Sequence, residues 1–173
     1  VFQLAIRECR ARTLAKIELP PNESFTVEYV TGKSWSGYNW YQGNFRSLIQ
    51  VNTDLPVYID RAVDLAAHEG YPGHHTEHAI KEQALYRDLG YGEHAIQLIN
   101  TPECVMTEGI ATLAQSIIFT PDEAAIWRRD HLYRVAGIEA MRSDGFLEFV
   151  AIAGNPVASA ALLGRASPFM LHR

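Results

Sequence analysis

The pair Pro72-Gly73 constrains this chain most, because it falls inside a stretch whose apolar spacing is otherwise helical. From about Val57 to Leu89, the residues Val63, Ala66, Ala67, Ile80, Ala84 and Leu85 recur at roughly helical spacing. A proline inside a helix removes one backbone hydrogen bond and clashes with the preceding turn. The segment must therefore kink or bulge at Tyr71-Pro72-Gly73. His68, His74, His75 and His78 cluster around this break, with Glu69 directly after the first of them.

The rest of the chain reads as helices with a small sheet. A helix is expected from Phe2 to Glu18, stopped by Pro20 and Pro21. Residues 25–31 and 46–53 alternate apolar and polar side chains and predict two strands, joined by a connection rich in Gly and aromatic residues. After a loop marked by Gly90 and Gly92, a helix is expected from near Pro102 to Phe119. Thr120-Pro121-Asp122-Glu123 starts another, reaching Arg142: a hydroxyl cap, a proline at the first helical position, and acids at the positive end. Asn155-Pro156 repeats that chemistry before a last short helix closed by Gly164.

Composition narrows the function classes. With 47% hydrophobic residues among 173, the chain has enough apolar material for one core. A net charge of −5 with scattered Lys and Arg offers no basic stripe for nucleic acid. No apolar run approaches the roughly 18 to 20 residues that cross a bilayer. Cys9 and Cys104 form neither a disulfide framework nor a thiolate metal site, which makes the cytoplasm the default compartment, with a removed signal peptide left open.

The histidine segment points to metal chemistry. In an HExxH helix, two histidines four residues apart bind zinc and the intervening Glu serves as general base. His68-Glu69 keep that start, but His74 and His75 come six and seven residues on. On a regular helix six residues rise about 9 Å, too far for one tetrahedral ion. A bulge at Pro72-Gly73 absorbs the extra length, which makes His74 the ligand and His75 its alternative, with the reverse order left open. Glu108 on the next predicted helix is the candidate third ligand, and the small residues Gly109 and Ala111 allow that helix a close approach.

Further residues carry weaker signals. Glu103 reads as an ordinary acid near a helix start. Glu77 and His78 read as supporting residues, Glu77 orienting a ligating imidazole. Tyr71 in the bulge and His94 in a Gly-flanked loop are the candidate donors to a developing oxyanion, each weighed against a plain packing or surface role. Trp35, Tyr38, Trp40 and Tyr41 read either as a lip over a cleft or as a packed loop.

The segments HEGYPGHH and TEGIA resemble a bacterial family of unknown function among the gluzincin-like metallopeptidases, whose signatures read HEAxPGHHxQ and VEGWA. The resemblance spans about residues 46–118. It implies His68 and His74 or His75 as metal ligands, Glu108 as the third, Glu69 as catalytic base, and strand 46–53 bordering a cleft where an extended substrate pairs along it. Thr76 and Glu77 replace an apolar residue and Gln of the family pattern, and Ile110 replaces Trp. The later Gly-Gln and Tyr segment of the family has no counterpart here.

The expectation is a mainly α fold with a small β-sheet (α+β), built around a zincin-like helical metal-binding core. It forms one metallohydrolase domain over residues 1–173, whether complete or a fragment of a longer chain. The expected function is that of a zinc-dependent hydrolase, a metallopeptidase acting on a peptide or small amide. The alternative is a non-catalytic metal-binding or scaffold domain that keeps the zinc site. A di-metal carboxylate oxidase would need a Glu-x-x-His pair, and Ala111 stands where that His would follow Glu108. Oligomeric state is left open.

Overall fold

The computed structural model describes residues 1–54 and 58–136. Val1–Ala124 forms one compact unit and a second begins at Ala125. The architecture is α+β, helices with a small sheet of three strands among the described residues.

Helix α1 (Phe2–Leu14) buries Ala5, Cys9 and Thr13, a stripe with a spacing of four residues. It packs on α2 (Arg61–Glu69), whose small side chains Ala62, Val63, Ala66 and Ala67 permit close approach, and both meet α4 (Pro102–Ile118). Helix α4 starts as its sequence dictates: the Thr101 hydroxyl accepts the Cys104 amide at 3.2 Å, with Pro102 at the first helical position. Thr120 and Glu123 cap α5 (Pro121–Trp127) reciprocally, the Glu123 amide donating to Thr120 Oγ1 at 3.3 Å and the Thr120 amide to Glu123 Oε2 at 2.8 Å.

Strands β1 (Ser24–Val30), β2 (Gly37–Gly43) and β3 (Arg46–Asn52) lie in the order β1-β3-β2, with β1 parallel and β2 antiparallel to β3. Ile49 and Val51 of β3 join Leu65 of α2 in a core that Phe2, Phe25 and Val27 extend. The alternation in residues 25–31 and 46–53 thus marks real strands, while β2 corresponds to the stretch read as a connection. Its terminal glycines give a turn signal, although Tyr and Trp favour a pleated surface.

The β2–β3 hairpin turns on two residues, Asn44 and Phe45, at φ 53° and 59°. A left-handed Phe is costly by about 1–2 kcal/mol, and the surroundings offset that cost. The Asn44 and Phe45 amides donate to the Glu82 carboxylate at 3.2 and 3.3 Å, and the Arg87 guanidinium covers the Phe45 ring at 4.7 Å. Glu82 belongs to a π-helical turn (Glu82–Asp88) that continues α3 (His74–Lys81), so the hairpin tip is tied to the end of the histidine helix.

The break between α2 and α3 is the local feature that positions the site. After Glu69 the chain folds back: the Gly70 and Tyr71 amides both reach Ala66 O, and the Gly73 amide reaches Ala67 O at 2.9 Å. The new helix then starts on the break itself, with the Thr76 amide on Gly70 O and the Glu77 amide on Gly73 O. Residue 73 must be glycine, because a Cβ there would lie 1.9 Å from His68 O and 2.4 Å from Ala67 O. The Tyr71-Pro72 peptide is cis.

A buried ionic cluster holds the other side of this break. Glu23, just before β1, accepts from Arg10 at 2.6 and 3.0 Å, from the Tyr71 hydroxyl, and from His75 Nε2 at 3.0 Å. Phe25 packs on both the Tyr71 and His75 rings, with centroids 5.0 and 5.1 Å apart.

Of the second unit, residues to Ala136 are described: the π-helical segment Arg128–Tyr133 buries Leu132. The rest of the helix expected to reach Arg142, and the one expected after Asn155-Pro156, lie outside the described residues. Among the described residues, no helix is long and apolar enough to cross a membrane.

Candidate metal centre

The fold-back brings together two histidines that a straight helix would separate. His68 in the last turn of α2 and His74 at the start of α3 have ring centroids 4.8 Å apart, against a rise of about 9 Å for six helical residues. Glu108 arrives from α4, its Oε2 3.7 Å from His68 Nε2 and its Oε1 3.5 Å from His74 Nε2. The ligand atoms of these three residues all lie within 4.8 Å of one another.

These three residues could hold a metal ion. Tetrahedral bonds of about 2.0–2.1 Å place donor atoms roughly 3.4 Å apart, a spacing the two His–Glu separations approach, while the set as a whole spreads to within 4.8 Å. Burial, followed by the proximity of His68 and His78, pulls His74 down to about 4, so its imidazole is neutral at pH 7, the form that ligates. His78 stacks on His74 at 5.9 Å and 11°.

Glu69 sits beside the triad without being part of it. Its Oε2 is buried without a hydrogen-bond partner, and burial, then the Glu108 charge, push its carboxyl up to about 8. Strand β2 presses against this carboxylate: a Cβ on Gly37 would lie 2.9 Å from Glu69 Oε1. Two residues along the strand, Asn39 Nδ2 donates to the Glu69 main-chain carbonyl at 2.6 Å. Gly37, Tyr38, Asn39, Cys104 and Thr107 wall a cleft of about 250 Å³ together with His68, Glu69, His74, His78 and Glu108.

The structure separates several other expected site residues from this cleft. His75, the alternative ligand, is fully buried, with Nε2 on Glu23 and Nδ1 2.8 Å from Ser47 Oγ. An ionised Glu23 only accepts, so Nε2 carries the proton and Nδ1 accepts from the Ser47 hydroxyl, which leaves neither nitrogen for a metal. Tyr71 gives its one hydroxyl proton to Glu23 and is therefore not an oxyanion donor. His94 lies 3.5 Å from Glu103 on the wall of a neighbouring cavity of about 580 Å³ and does not line the metal cleft. Glu77 lies 2.6 Å from His78 Nδ1 and holds Lys81 at 2.9 Å, so it orients His78, while His74 Nδ1 has no hydrogen-bond partner.

Strand 46–53 also requires correction. As the central strand its two edges are filled by β1 and β2, leaving no edge for an added strand. The strand bordering the cleft is β2, whose second edge is paired with no strand among the described residues. The aromatic cluster divides by the two-residue period of that strand: Tyr38 and Trp40 pair at 4.5 Å on one face, while Tyr41, on the face of Gly37 and Asn39, packs on His78 and donates to Glu82.

Sequence reasoning named Gly37 only within the aromatic lip and missed Asn39, Cys104 and Glu23. Reading β2 as a strand would have put Gly37, Asn39 and Tyr41 on one face, and the four-residue spacing of Cys104 and Glu108 puts both on one side of α4. Glu23 has no local signal, since its partners lie 13, 48 and 52 residues away. Compared with known proteins, the chain matches no family, no curated protein and no solved structure.

Proposed function

We propose that the Val1–Ala124 unit carries the centre of a zinc-dependent hydrolase, a metallopeptidase, in which His68, His74 and Glu108 hold the ion and Glu69 is the general base. The observation that supports this reading most is the convergence of three ligand atoms within 4.8 Å beside a buried, unpartnered carboxylate of the residue next to His68. Three protein ligands leave a fourth position open, as catalytic rather than structural zinc sites do. A bound zinc ion supplies Lewis acidity there, polarising a carbonyl oxygen and lowering the pKa of water towards about 7.

The residues of the chain carry the remaining steps. With a cation on the triad favouring its ionised form, the Glu69 carboxylate would accept the proton of the attacking water and then deliver it to the departing amine nitrogen. Gly37 closes one side of the Glu69 carboxylate, and Asn39 holds its main-chain carbonyl. The walls of the cleft hold the substrate against β2.

A second reading, a metal-binding domain without catalysis, is favoured by one observation: neither Tyr71 nor His94 lines the cleft as an oxyanion donor. Metal analysis and hydrolysis assays separate the two. Protein purified without added metal is expected to contain about one zinc per chain, and His68→Ala to lose it. Glu69→Gln should keep zinc and lose peptide hydrolysis by at least ~10²-fold. Zinc-replete wild-type protein without activity on a broad peptide library would leave the second reading, and undiminished zinc in His68→Ala would refute the ligand assignment.

A further inference from the structure

We infer that Glu23 is a positioning residue of the metal centre, whose buried carboxylate holds residues 71 and 75 together and so fixes where His74 stands relative to His68. The inference rests on the metal reading above and deepens it, because it states which part of the fold sets the affinity of that site.

The need for such a residue shows at His74 itself. A metal-ligating histidine ordinarily gives its other ring nitrogen to a carboxylate, a backbone carbonyl or water, which fixes the ring. His74 Nδ1 is buried and has no hydrogen-bond partner among the described residues. Its place is therefore set by the backbone that carries it. That backbone is pinned on both sides, because Tyr71 stands three residues before His74 and His75 directly after it.

A single oxygen holds both pins. Glu23 Oε2 accepts from the Tyr71 hydroxyl and from His75 Nε2, the latter at 3.0 Å, while Oε1 accepts from Arg10 of α1 at 2.6 and 3.0 Å. The Glu23 side chain is 1% exposed, so water does not compete for these bonds. Ser47 of β3 holds the other nitrogen of His75, and Phe25 of β1 packs on both the Tyr71 and His75 rings. The His75 ring has no freedom left, and the first turn of α3 is fixed with it. Glu23 is not among the residues that wall the cleft, so it acts on the ion only through Tyr71 and His75. The staple thus refers the position of His74 to α1 and the sheet, on the far side of the break from the ion.

The test measures zinc affinity by competition with a chelator at pH 7, together with the visible absorption of the cobalt(II)-loaded protein, which reports the geometry around the ion. Glu23→Ala removes the acceptor of both pins and should weaken zinc binding roughly tenfold or more, as loss of the support behind a ligand typically does. Tyr71→Phe removes one pin and should give a smaller loss. The double variant should lie within about twofold of Glu23→Ala, because the Tyr71 hydroxyl has already lost its acceptor there. The cobalt spectrum of Glu23→Ala should differ from that of wild type. Lower stability alone cannot imitate this result: a metal-free variant that is nine-tenths folded loses only about 1.1-fold in apparent affinity. Folded Glu23→Ala with wild-type affinity, or with weakened affinity but an unchanged cobalt spectrum, overturns the inference and leaves the ligand assignment intact. So do losses that simply add in the double variant. If Glu23→Ala does not fold, Tyr71→Phe, which deletes one oxygen and keeps the ring, decides alone. Wild-type protein that takes up no zinc overturns the metal reading first and this inference with it.

Discussion

Gly73→Ala tests the geometry of the fold-back directly. The added Cβ would lie 1.9 Å from His68 O, 2.4 Å from Ala67 O and 2.6 Å from the His68 carbonyl carbon. All three obstacles are backbone, so no side chain can rotate away. Reaching the 3.0 Å lower limit of real Cβ contacts requires α2 and α3 to separate by about 1.1 Å. Overpacking of this kind typically costs 1–3 kcal/mol, occasionally more, and the upper end is expected here because the clash is with backbone on the same turn. The same displacement carries His74 away from His68, well beyond the roughly 0.2 Å tolerance of a zinc bond length. Chemical unfolding should therefore show a loss of about 3 kcal/mol, and competition with a chelator a loss of at least tenfold in zinc affinity. Gly92→Ala is the control, since its added Cβ meets nothing within 4 Å, and it should fall within about 0.5 kcal/mol of wild type. A Gly73→Ala protein as stable as that control would refute the fold-back geometry, whereas lost stability with unchanged zinc binding would refute only the link to the metal.

Two further predictions concern buried groups away from the cleft. Burial alone would raise the Glu23 carboxyl, but hydrogen bonds from His75, Tyr71 and Arg10 outweigh it and hold it below its ordinary 4.5. A depressed carboxylate contributes stability in full above that value and loses it as the pH falls through the lower folded value. Glu23→Gln should thus cost about 1–3 kcal/mol at pH 7, with the difference from wild type shrinking below pH 4.5 in urea unfolding; a difference independent of pH would refute the role of the charge. Burial pushes the Cys9 thiol up to about 12, so iodoacetamide at pH 8 should label the partly exposed Cys104 in native protein and Cys9 only after denaturation, as read by mass spectrometry; prompt labelling of native Cys9 would contradict its packing under α2.

What could be read locally was largely readable in advance. Capping at Thr101 and at Thr120-Glu123, the helices that follow, and the strands at 25–31 and 46–53 depend on neighbours a few residues apart, and their chemistry is written in those neighbours. The break at Pro72-Gly73 was equally legible, because proline and glycine act on their own backbone. The choice between His74 and His75 was not. His75 is one residue from His74 and lies seven residues from His68, a spacing that a regular helix would bring to the same face as His68. Its fate is decided by Ser47 and Glu23, 28 and 52 residues away, which occupy both of its ring nitrogens. Tyr71 is diverted by the same Glu23, and β2 meets Glu69 from across 30 residues of sequence. Local sequence therefore determined where helices start, stop and break, because those events are governed by backbone hydrogen bonds within a turn or two. Only tertiary structure decided which histidine faces the cleft and which serves the core, because that depends on partners that share no local pattern with it.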